Sequence, residues 1–549
     1  MESGRVMVSS EEVISLFPSD KFRKYQKEVL KKINDSFNSG VRCILLEAPT
    51  GFGKSIVNVT MCRAYEPAFY ATPQLNLIDQ MKRDRYIGLH LTEIKGRRNY
   101  YCVYDPIATC DVGLCYRQAG FDCKKTEVCH YWKAKIKALN SPIALMSFAY
   151  FLLEGRTEGN QYSFGNRNLL VLDESHSIDR HVINHVNLVV SPYVLPGNIY
   201  RNISRNIRHF VTIEELKDFV ASTTELVSSS YHDYEIITLD GKVLTVEQGL
   251  DKLKAENFVS KSELFLNTCD DLEWIWDIQY TTSRTLGLCK VLVAQPVFAH
   301  AFMNDMIWKR ANKFIVSSAT ILDPTKFIRE TGINLSMKSD EILHLRIPST
   351  FPVEHRKIVN SANGKLTRKT RDENLPIAVK ILETILDTEK GNVAVHVHSY
   401  DMAVSIMNII DSKYKERIIT HTPETRKDAL RRFENERGNV FICVAFEEGY
   451  DWAYDMCTAQ VLFKVPYPDI NDKRVARRLS KHDWHWYRLE ALKTVIQAYG
   501  RAVRSEEDVA NFYIVDASFI DLIKNEKKYV PEWFKEALPD EWKNLVKQQ

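Results

Sequence analysis

Short apolar runs rich in β-branched residues alternate with longer segments of helical periodicity along most of the chain. Such alternation is typical of parallel β-sheets whose strands are joined by crossover helices. A first group of strands is predicted at Cys43–Glu47, Ala68–Thr72, Ile143–Ser147, Leu169–Leu172 and Phe314–Ser318. A second group is predicted at Val393–His398, Ile418–Thr422, Val440–Ala445, Gln460–Val465 and Phe512–Asp516. The pattern therefore predicts an α/β fold with two parallel sheets.

The pattern changes between Arg180 and about Ile275, where polar, helical sequence replaces the apolar runs. This stretch is expected to form an inserted, mainly helical domain, after which the first sheet closes with the strand before Ala319. Pro348–Pro352 is the expected linker into the second sheet. The chain has 549 residues. A single core rarely grows past roughly 250–300 residues, so several domains are expected.

The first candidate site follows the strand Cys43–Glu47 and precedes a helical pattern that begins at Ile56. It ends in Gly-Lys-Ser, the signature of a phosphate-binding loop (P-loop). In such a loop the backbone N–H groups cradle phosphates, Lys54 reaches the β- and γ-phosphates, and the Ser55 hydroxyl binds Mg²⁺. The candidate residues for ATP and Mg²⁺ are Ala48, Pro49, Thr50, Gly51, Phe52, Gly53, Lys54 and Ser55.

Two adjacent carboxylates, Asp173 and Glu174, end the buried strand Leu169–Leu172. Such a pair divides naturally into two roles. Asp173 is expected to hold Mg²⁺, directly or through water, and Glu174 to orient and deprotonate the attacking water. Taken alone, the tetrapeptide Asp173–His176 could be an ordinary helix N-cap. The preceding P-loop makes this alternative weaker than a catalytic role.

Three further segments complete the candidate catalytic machinery. Small hydroxyls in Ser317–Thr320 can couple loss of the γ-phosphate to movement. In the segment Gln497–Arg504, Arg501 and Arg504 lie three residues apart on a predicted helix, so both can act on the γ-phosphate as arginine fingers. Gln497 belongs to the same candidate catalytic set. The loop with Gly449 and Asp451 is expected to contact both nucleotide and nucleic acid.

Positive charge is concentrated between Lys95 and Lys137, where nine Lys and Arg stand against four Asp and Glu; the whole chain carries +3. The aromatic residues interleaved with these charges are Tyr100, Tyr101, Tyr104, Tyr116, Phe121, Tyr131 and Trp132. A basic cluster is usually a solvated face, but this combination suits a track for single-stranded nucleic acid. A soluble protein without a secretory signal or membrane span is expected, in the cytoplasm with the nucleoid or another reducing intracellular compartment.

Five of the eleven cysteines fall in the same segment, with the spacing C-x7-C-x4-C-x7-C-x5-C from Cys102 to Cys129. Structural zinc sites generally use two tight pairs such as C-x2-C, which are missing from this spacing. Cubane iron–sulfur clusters need four thiolates but tolerate irregular loops. The spacing favours an iron–sulfur cluster, with a zinc site and reduced structural thiols as the alternatives.

The motifs together resemble the superfamily-two helicases of the XPD/DinG type, the iron–sulfur helicases. They are Arg23–Gln26, the P-loop, Ala71–Gln74, Asp173–His176, Ser318–Thr320, Val397–Tyr400, Glu448–Asp451 and Gln497–Arg504. The resemblance implies two RecA-like motor domains, an arch domain and a [4Fe–4S] domain inserted in the first motor domain. The first motor domain is expected at 1–95, 138–180 and 276–347, and the iron–sulfur insert at 96–137. The arch domain is expected at 181–275 and the second motor domain at 348–549.

The resemblance also implies which cysteines bind the cluster. The sequence around Cys102 and Cys129 is similar to the family's first and last ligand contexts, and Cys115 and Cys123 stand closer to its middle ligands than Cys110 does. The implied [4Fe–4S] ligands are therefore Cys102, Cys115, Cys123 and Cys129.

The function expected from this resemblance is an ATP-dependent 5′→3′ DNA helicase that translocates on single-stranded DNA and opens forked duplexes, as a monomer, in DNA repair or replication. A helicase for RNA or RNA–DNA hybrids is an alternative, because motors that track the backbone do not identify the sugar unambiguously. A nucleotide-gated scaffold in a repair or transcription complex is a third reading. An appended nuclease domain is not expected.

Overall fold

The computed structural model describes residues 7–154, 162–444, 452 and 456–547. The strands are β1 (Cys43–Glu47), β2 (Ala68–Thr72), β3 (Thr92–Glu93), β4 (Tyr101–Cys102), β5 (Asp105–Thr109), β6 (Ile143–Ser147), β7 (Arg167–Leu172), β8 (Leu188–Val190), β9 (Trp274–Ser283), β10 (Gly287–Pro296), β11 (Ala311–Ser318), β12 (Ile342–Arg346), β13 (Ile358–Gly364), β14 (Val393–Val397), β15 (Ile418–Ile419), β16 (Val440–Val444), β17 (Ala459–Leu462) and β18 (Asn511–Asp516).

The α-helices alternate with these strands through most of the chain. They are α1 (Ser10–Ser15), α2 (Gln26–Ser39), α3 (Lys54–Ala64), α4 (Leu75–Arg83), α5 (Leu114–Arg117), α6 (His130–Leu139), α7 (Phe148–Glu154), α8 (Ile178–Val186), α9 (Gly197–Ile203), α10 (Ile213–Leu239), α11 (Val246–Thr268), α12 (His300–Met303), α13 (Pro324–Glu330), α14 (Ile333–Ser336), α15 (Arg371–Thr388), α16 (Tyr400–Ile409), α17 (Ser412–Lys415), α18 (Arg426–Asn435), α19 (Lys473–Ser480), α20 (Trp484–Tyr499), α21 (Ser518–Asn525), α22 (Glu532–Ala537) and α23 (Asp540–Val546).

The contacts within the chain divide it into two compact units. Unit 1 consists of Met1–Asn58, Val316–Thr325 and Leu343–Gln549, and unit 2 of Val59–Ile315 and Lys326–Ile342. Each unit is built from segments that are distant in sequence, so its core depends on long-range pairing between strands.

Unit 1 contains the second predicted sheet, a six-stranded sheet in the order β13-β18-β17-β14-β16-β15. Its strands pair in parallel, as in the register of Val395 with Ile442 and Val461. Every residue of β14 and β16 is buried, because helices cover both faces. The same unit holds β1 between β12 and the end of β11, which places the P-loop at the end of β1.

Unit 2 contains four neighbouring strands in the order β7-β2-β6-β3, of which β7, β2 and β6 belong to the first predicted group and β3 was not predicted. Tyr70 of β2 pairs in parallel with Val171 of β7 and Leu145 of β6. Strands β2 and β6 are buried throughout, as a parallel sheet covered on both faces requires. The prediction of two parallel sheets is confirmed, and both predicted groups of strands are present.

Unit 2 also carries the helical insertion and the cysteine-rich insertion. Thr212 and Thr245 cap the N-termini of the long helices α10 and α11, which pack against each other across a short turn. A three-stranded antiparallel sheet, β8-β10-β9, stands beside them, with Gln279 opposite Val291. The pattern of apolar runs did not predict this sheet. The long hairpin of β9 and β10 is half-exposed to water, so both of its faces carry a mixture of polar and apolar residues.

In the part of the chain that the structure describes, no helix combines the length and the apolar character that crossing a membrane requires.

Candidate functional site

The P-loop of unit 1 is closed on itself by hydrogen bonds at both ends. The Ala48 N–H donates to the carbonyl oxygen of Ser318 at 3.1 Å, and the Lys54 ammonium donates to the carbonyl oxygen of Ala48 at 3.1 Å. Lys54 is the first residue of α3, and Ser55 follows it in the first turn. The N–H groups in the first turn of a helix favour an anion, so the loop can receive phosphates.

The residues between Gly500 and Arg504 lie directly against the P-loop. Gly51 has a left-handed backbone (φ +80°), and a Cβ atom there would lie 2.0 Å from the Phe351 ring and 2.8 Å from the Arg504 carbonyl oxygen. A Cβ atom on Gly500 would lie 2.9 Å from the Thr50 hydroxyl oxygen. Only glycine fits at both positions, which allows the two segments to approach this closely.

Arg23 and Gln26 hold the P-loop backbone from the other side. The Arg23 guanidinium donates to the Gly51 carbonyl oxygen, and the Gln26 amide donates to the Phe52 carbonyl oxygen at 2.8 Å. Gln26 is buried, and its amide oxygen accepts the Arg23 N–H at 2.8 Å. These bonds fix the loop in the shape that phosphate binding needs.

Gln497, near the end of α20, contacts the segment that follows β11. Its side-chain amide donates to the Thr320 hydroxyl at 2.8 Å, and both side chains are buried. The candidate arginines follow the end of α20 at Tyr499, so the prediction that Arg501 and Arg504 lie on a helix is wrong. Arg501 is buried, and its positive charge adds to the effect of burial in lowering the pKa of His396 on β14 to about 4. The Arg504 N–H donates to Asp508 at 2.8 Å. Unit 1 thus brings together Lys54, Thr320, Gln497 and the Gly500–Arg504 segment.

Asp173 and Glu174 lie in unit 2 at the end of β7. The Tyr70 hydroxyl donates to Asp173 Oδ2 at 2.7 Å, and the Glu174 N–H donates to Asp173 Oδ1 at 3.0 Å. Glu174 has a left-handed backbone (φ +49°), which turns the chain sharply after the strand, and its carboxylate lies 3.4 Å from His176 Nδ1. Asp173 is buried, whereas the side chain of Glu174 is partly exposed. This division suits a metal-binding and a water-activating carboxylate.

Tyr70 and Glu47 are functional candidates that the sequence motifs did not single out. Tyr70 orients Asp173 from the neighbouring strand. Its position on β2, which pairs with the strand before the carboxylates, is the feature from which this role could have been predicted. Glu47 immediately precedes the P-loop and is almost fully buried, with three hydrogen-bonding partners described below. Gly449 and Asp451, two predicted nucleotide contacts, lie outside the described residues.

The five cysteines between residues 102 and 129 lie close together in unit 2. Cys102 is in β4, Cys115 in α5 and Cys129 at the N-terminus of α6. Burial raises the pKa of Cys110 to about 12, and the neighbouring thiols of Cys129 and Cys102 add to the shift. Burial also raises the pKa of Cys123, with further contributions from Cys115 and Cys129. The thiols therefore form one connected group that includes Cys110.

The five cysteines supply at least the four thiols that an iron–sulfur cluster requires. Within the described ranges, no three His, Cys, Asp or Glu side chains converge on a point that could hold one metal ion. In a cubane cluster each thiolate binds a different iron, so four thiols must surround a volume rather than a point. Four of the five cysteines are buried and Cys115 is partly exposed, so their thiols are grouped and largely shielded from water.

Arg117 joins the cysteine insert to the turn between α10 and α11. Its guanidinium donates to the carbonyl oxygens of Val112 at 2.8 Å and Leu244 at 2.7 Å, and pairs with Asp105. The Leu244 N–H in turn donates to the Arg117 carbonyl oxygen at 3.1 Å. A Cβ atom on Gly249 would lie 2.8 Å from the Arg117 side chain, so the arginine fills the space that this glycine leaves.

Most of the aromatic residues in the insert are packed rather than exposed. Tyr131 and Trp132 are buried, with the Arg97 guanidinium over both rings. Tyr101 remains 69% exposed and Tyr104 41% exposed, both on the β4–β5 hairpin. The surface available for stacking with bases is therefore concentrated on this hairpin.

Comparisons with known proteins agree with this architecture. Residues 382–537 match the family model described as Helicase C-terminal domain, and residues 19–214 match the one described as Type III restriction enzyme, res subunit. A probable ATP-dependent helicase of Methanocaldococcus jannaschii is 21% identical, over 94% of this chain and 95% of the relative. The ATP-dependent DNA helicase DinG of Photobacterium profundum is 20% identical, over 48% of this chain and 42% of its own. A solved XPD helicase has the same fold, with a TM-score of 0.63 and 16% identity over 93% of this chain and 98% of that one.

Proposed function

We propose that this chain, an ATP-hydrolysing helicase similar to the XPD/DinG-type helicases of superfamily two, moves 5′→3′ on single-stranded DNA and opens forked duplexes. The observation that carries the proposal is the assembly in unit 1 of the P-loop with Thr320, Gln497 and the Gly500–Arg504 segment. A helicase motor needs this arrangement, because the arginine segment must sense the γ-phosphate that the P-loop binds.

In the proposed mechanism the charged side chains divide the work of phosphoryl transfer. Lys54 neutralises the β- and γ-phosphates, and Ser55 and Asp173 are the residues that would each offer an oxygen ligand to Mg²⁺. Tyr70 keeps one oxygen of Asp173 fixed, and Glu174 accepts the proton of the attacking water. Arg501 and Arg504 stabilise the charge that develops on the transferred group. Loss of the γ-phosphate then releases the contact between the P-loop and the Gly500–Arg504 segment.

The cysteine insert is proposed to hold a [4Fe–4S] cluster on Cys102, Cys115, Cys123 and Cys129. When bound, the cluster would cross-link the loops of the insert and so keep the hairpin rigid. Tyr101 and Tyr104, exposed on that hairpin, can stack on bases of the strand being separated. The cysteines must stay reduced to bind iron, which favours a reducing intracellular compartment.

A strand-displacement assay tests the proposed function. A duplex with a 5′ single-stranded tail should be unwound in the presence of ATP and Mg²⁺, and a duplex with a 3′ tail should not. The Lys54→Ala variant should lose ATP hydrolysis and unwinding together, because the substitution removes the ammonium group that neutralises the β- and γ-phosphates of ATP. Unwinding of the 3′-tailed duplex alone would refute the proposed polarity, and hydrolysis by Lys54→Ala would show that the ATP site is misassigned.

The alternatives predict different results in the same experiment. An RNA or hybrid helicase would hydrolyse ATP faster with single-stranded RNA than with DNA of matched sequence. A nucleotide-gated scaffold would bind ATP and DNA without displacing either tailed strand. We favour the DNA helicase, acting as a monomer in repair or replication, because the insert presents exposed aromatic and basic residues suited to an unpaired strand.

A further inference from the structure

The loop that follows β11 is fastened to the residue immediately before the P-loop. Glu47 accepts the Leu322 N–H at 2.9 Å and the Arg346 guanidinium at 2.8 Å. The same guanidinium donates to the Leu322 carbonyl oxygen at 2.8 Å. Leu322 has a left-handed backbone (φ +59°), which is uncommon for a leucine. These bonds hold the strained residue, so the position of the loop is tied to the base of the P-loop.

Helix α20 contacts the other side of this loop at two points. Near its C-terminal end, Gln497 donates to Thr320, as described above. In its first turn, His485 contacts Asp323 Oδ2 through Nε2 at 2.9 Å and Glu526 Oε2 through Nδ1 at 2.7 Å. Twelve residues separate His485 from Gln497, which is about 18 Å along a helix. These two polar attachments add to the packing of α20 in an apolar core that includes Leu492 and Val495.

We propose that His485 is a positioning residue for ATP hydrolysis, because its bridge between Asp323 and Glu526 holds α20 and the following Gly500–Arg504 segment against the P-loop. Without the bridge, the first turn of α20 would lose its polar attachment to the loop after β11, and the residues that follow the helix would shift relative to the P-loop. His485 lies outside every motif by which the sequence resembles a helicase, and it does not touch the P-loop itself. The inference rests on the proposed motor activity and assigns a residue to it.

The charges around His485 show which form of the ring makes the bridge. Hydrogen bonds to Asp323 and Glu526 raise its pKa to about 9, so the ring is protonated at neutral pH and donates to both carboxylates. The groups that face it are Asp323 from the loop, Glu526 after α21 and the ring of Tyr529, whose centroid is 4.7 Å away. Arg488, one turn along α20, also donates to Glu526. Because the folded pKa is raised, the bridge is complete below the ordinary value of 6.5 and is lost as the pH rises through about 9.

Steady-state ATP hydrolysis with saturating single-stranded DNA tests the inference. His485→Ala and Asp323→Asn should each lower kcat about tenfold with little change in KM for ATP, since misplaced catalytic groups slow the chemical step while the P-loop still binds nucleotide. The wild-type kcat should fall as the pH rises through about 9, and His485→Ala should lack this decrease.

Arg488→Ala is the matched control, because it removes another cationic partner of Glu526 on the same helix but leaves the bond between His485 and Asp323. Its kcat should stay within about twofold of the wild type. Equal losses in Arg488→Ala and His485→Ala, or a wild-type kcat in both His485→Ala and Asp323→Asn, would overturn the inference. Asp323→Asn keeps the side-chain volume, so it decides the matter even if His485→Ala fails to fold. A wild-type protein that DNA does not stimulate would refute the proposed function instead, and basal hydrolysis would then test the positioning role.

Discussion

The side-chain amide of Gln497 donates a 2.8 Å hydrogen bond to the hydroxyl of Thr320, and 177 residues separate the two along the chain. Both side chains are buried, so neither can exchange this partner for water without moving. The bond joins the end of α20 to the loop after β11 and stands beside the close approach of Gly500 to Thr50. A change at the phosphates can therefore reach α20 through this buried contact.

A double-mutant cycle should measure this contact. Gln497→Ala and Thr320→Ala should each destabilise the protein, and the pair should show a coupling energy of about 1 kcal/mol, the usual net value of a neutral buried hydrogen bond. Urea unfolding of the four proteins gives the coupling. Strictly additive effects would mean that the two side chains do not depend on each other.

Glu47 should make unfolding depend on acid pH. Burial raises the pKa of this carboxyl, but the hydrogen bond from His344, the charge of Arg346 and the Leu322 N–H together hold it below its ordinary value of 4.5. A lowered folded pKa contributes stability that is present above about 4.5 and is lost as the pH falls through the folded pKa.

The comparison variant is Glu47→Gln, which keeps the shape and removes the charge. It should lower the free energy of unfolding at pH 7 by about 2 kcal/mol, because two charge-assisted hydrogen bonds are lost. Below pH 4 the difference from the wild type should shrink. A difference that stays constant from pH 7 to pH 3 would show that the carboxylate charge is not responsible.

The cysteine insert should contain iron that depends on four of its five thiols. Anaerobically purified wild-type protein should be brown and hold about four iron atoms per chain. Serine substitutions at Cys102, Cys115, Cys123 and Cys129 should each remove most of the iron, whereas Cys110→Ser should retain it.

Cys110 is the informative comparison, because its thiol lies among those of Cys102 and Cys129. If Cys110→Ser loses its iron and Cys115→Ser retains it, the cluster ligand is Cys110 and not Cys115. Colourless wild-type protein loaded with zinc would contradict the iron–sulfur proposal altogether.

Arg117→Ala should loosen the insert from the turn between α10 and α11. The substitution removes bonds to Val112, Leu244 and Asp105 from a buried side chain, and breaking a buried pair of this kind costs about 3–5 kcal/mol. Amide hydrogen exchange at Leu244, whose N–H donates to the Arg117 carbonyl oxygen, should speed up accordingly.

Tyr116→Phe is the control, since it removes only the hydrogen bond from the Tyr116 hydroxyl to Glu256 at 2.7 Å. Unwinding by Arg117→Ala should fall more than DNA-stimulated ATP hydrolysis, because the insert is proposed to act on the strands and contributes no residue to the proposed ATP site. Equal loss of both activities would argue against a separate role for the insert.

The sequence by itself determined the two parallel sheets, the P-loop and the carboxylate pair. Buried strands such as Val440–Val444 are recognisable as continuous apolar runs. The residues from Ala48 to Ser55 must be contiguous, because one turn of backbone surrounds the phosphates. A site of this kind consists of residues that are adjacent in the sequence, so it can be recognised without knowing the fold.

Only the tertiary structure decided which distant residues support that chemistry. Tyr70 reaches Asp173 because their strands pair, and His485 reaches Asp323 because α20 packs beside the loop after β11. The grouping of Cys110 with Cys102 and Cys129 is likewise set by how the insert folds. A single tyrosine or histidine has no periodic or spaced pattern, so its role appears only when long-range packing places it against a partner.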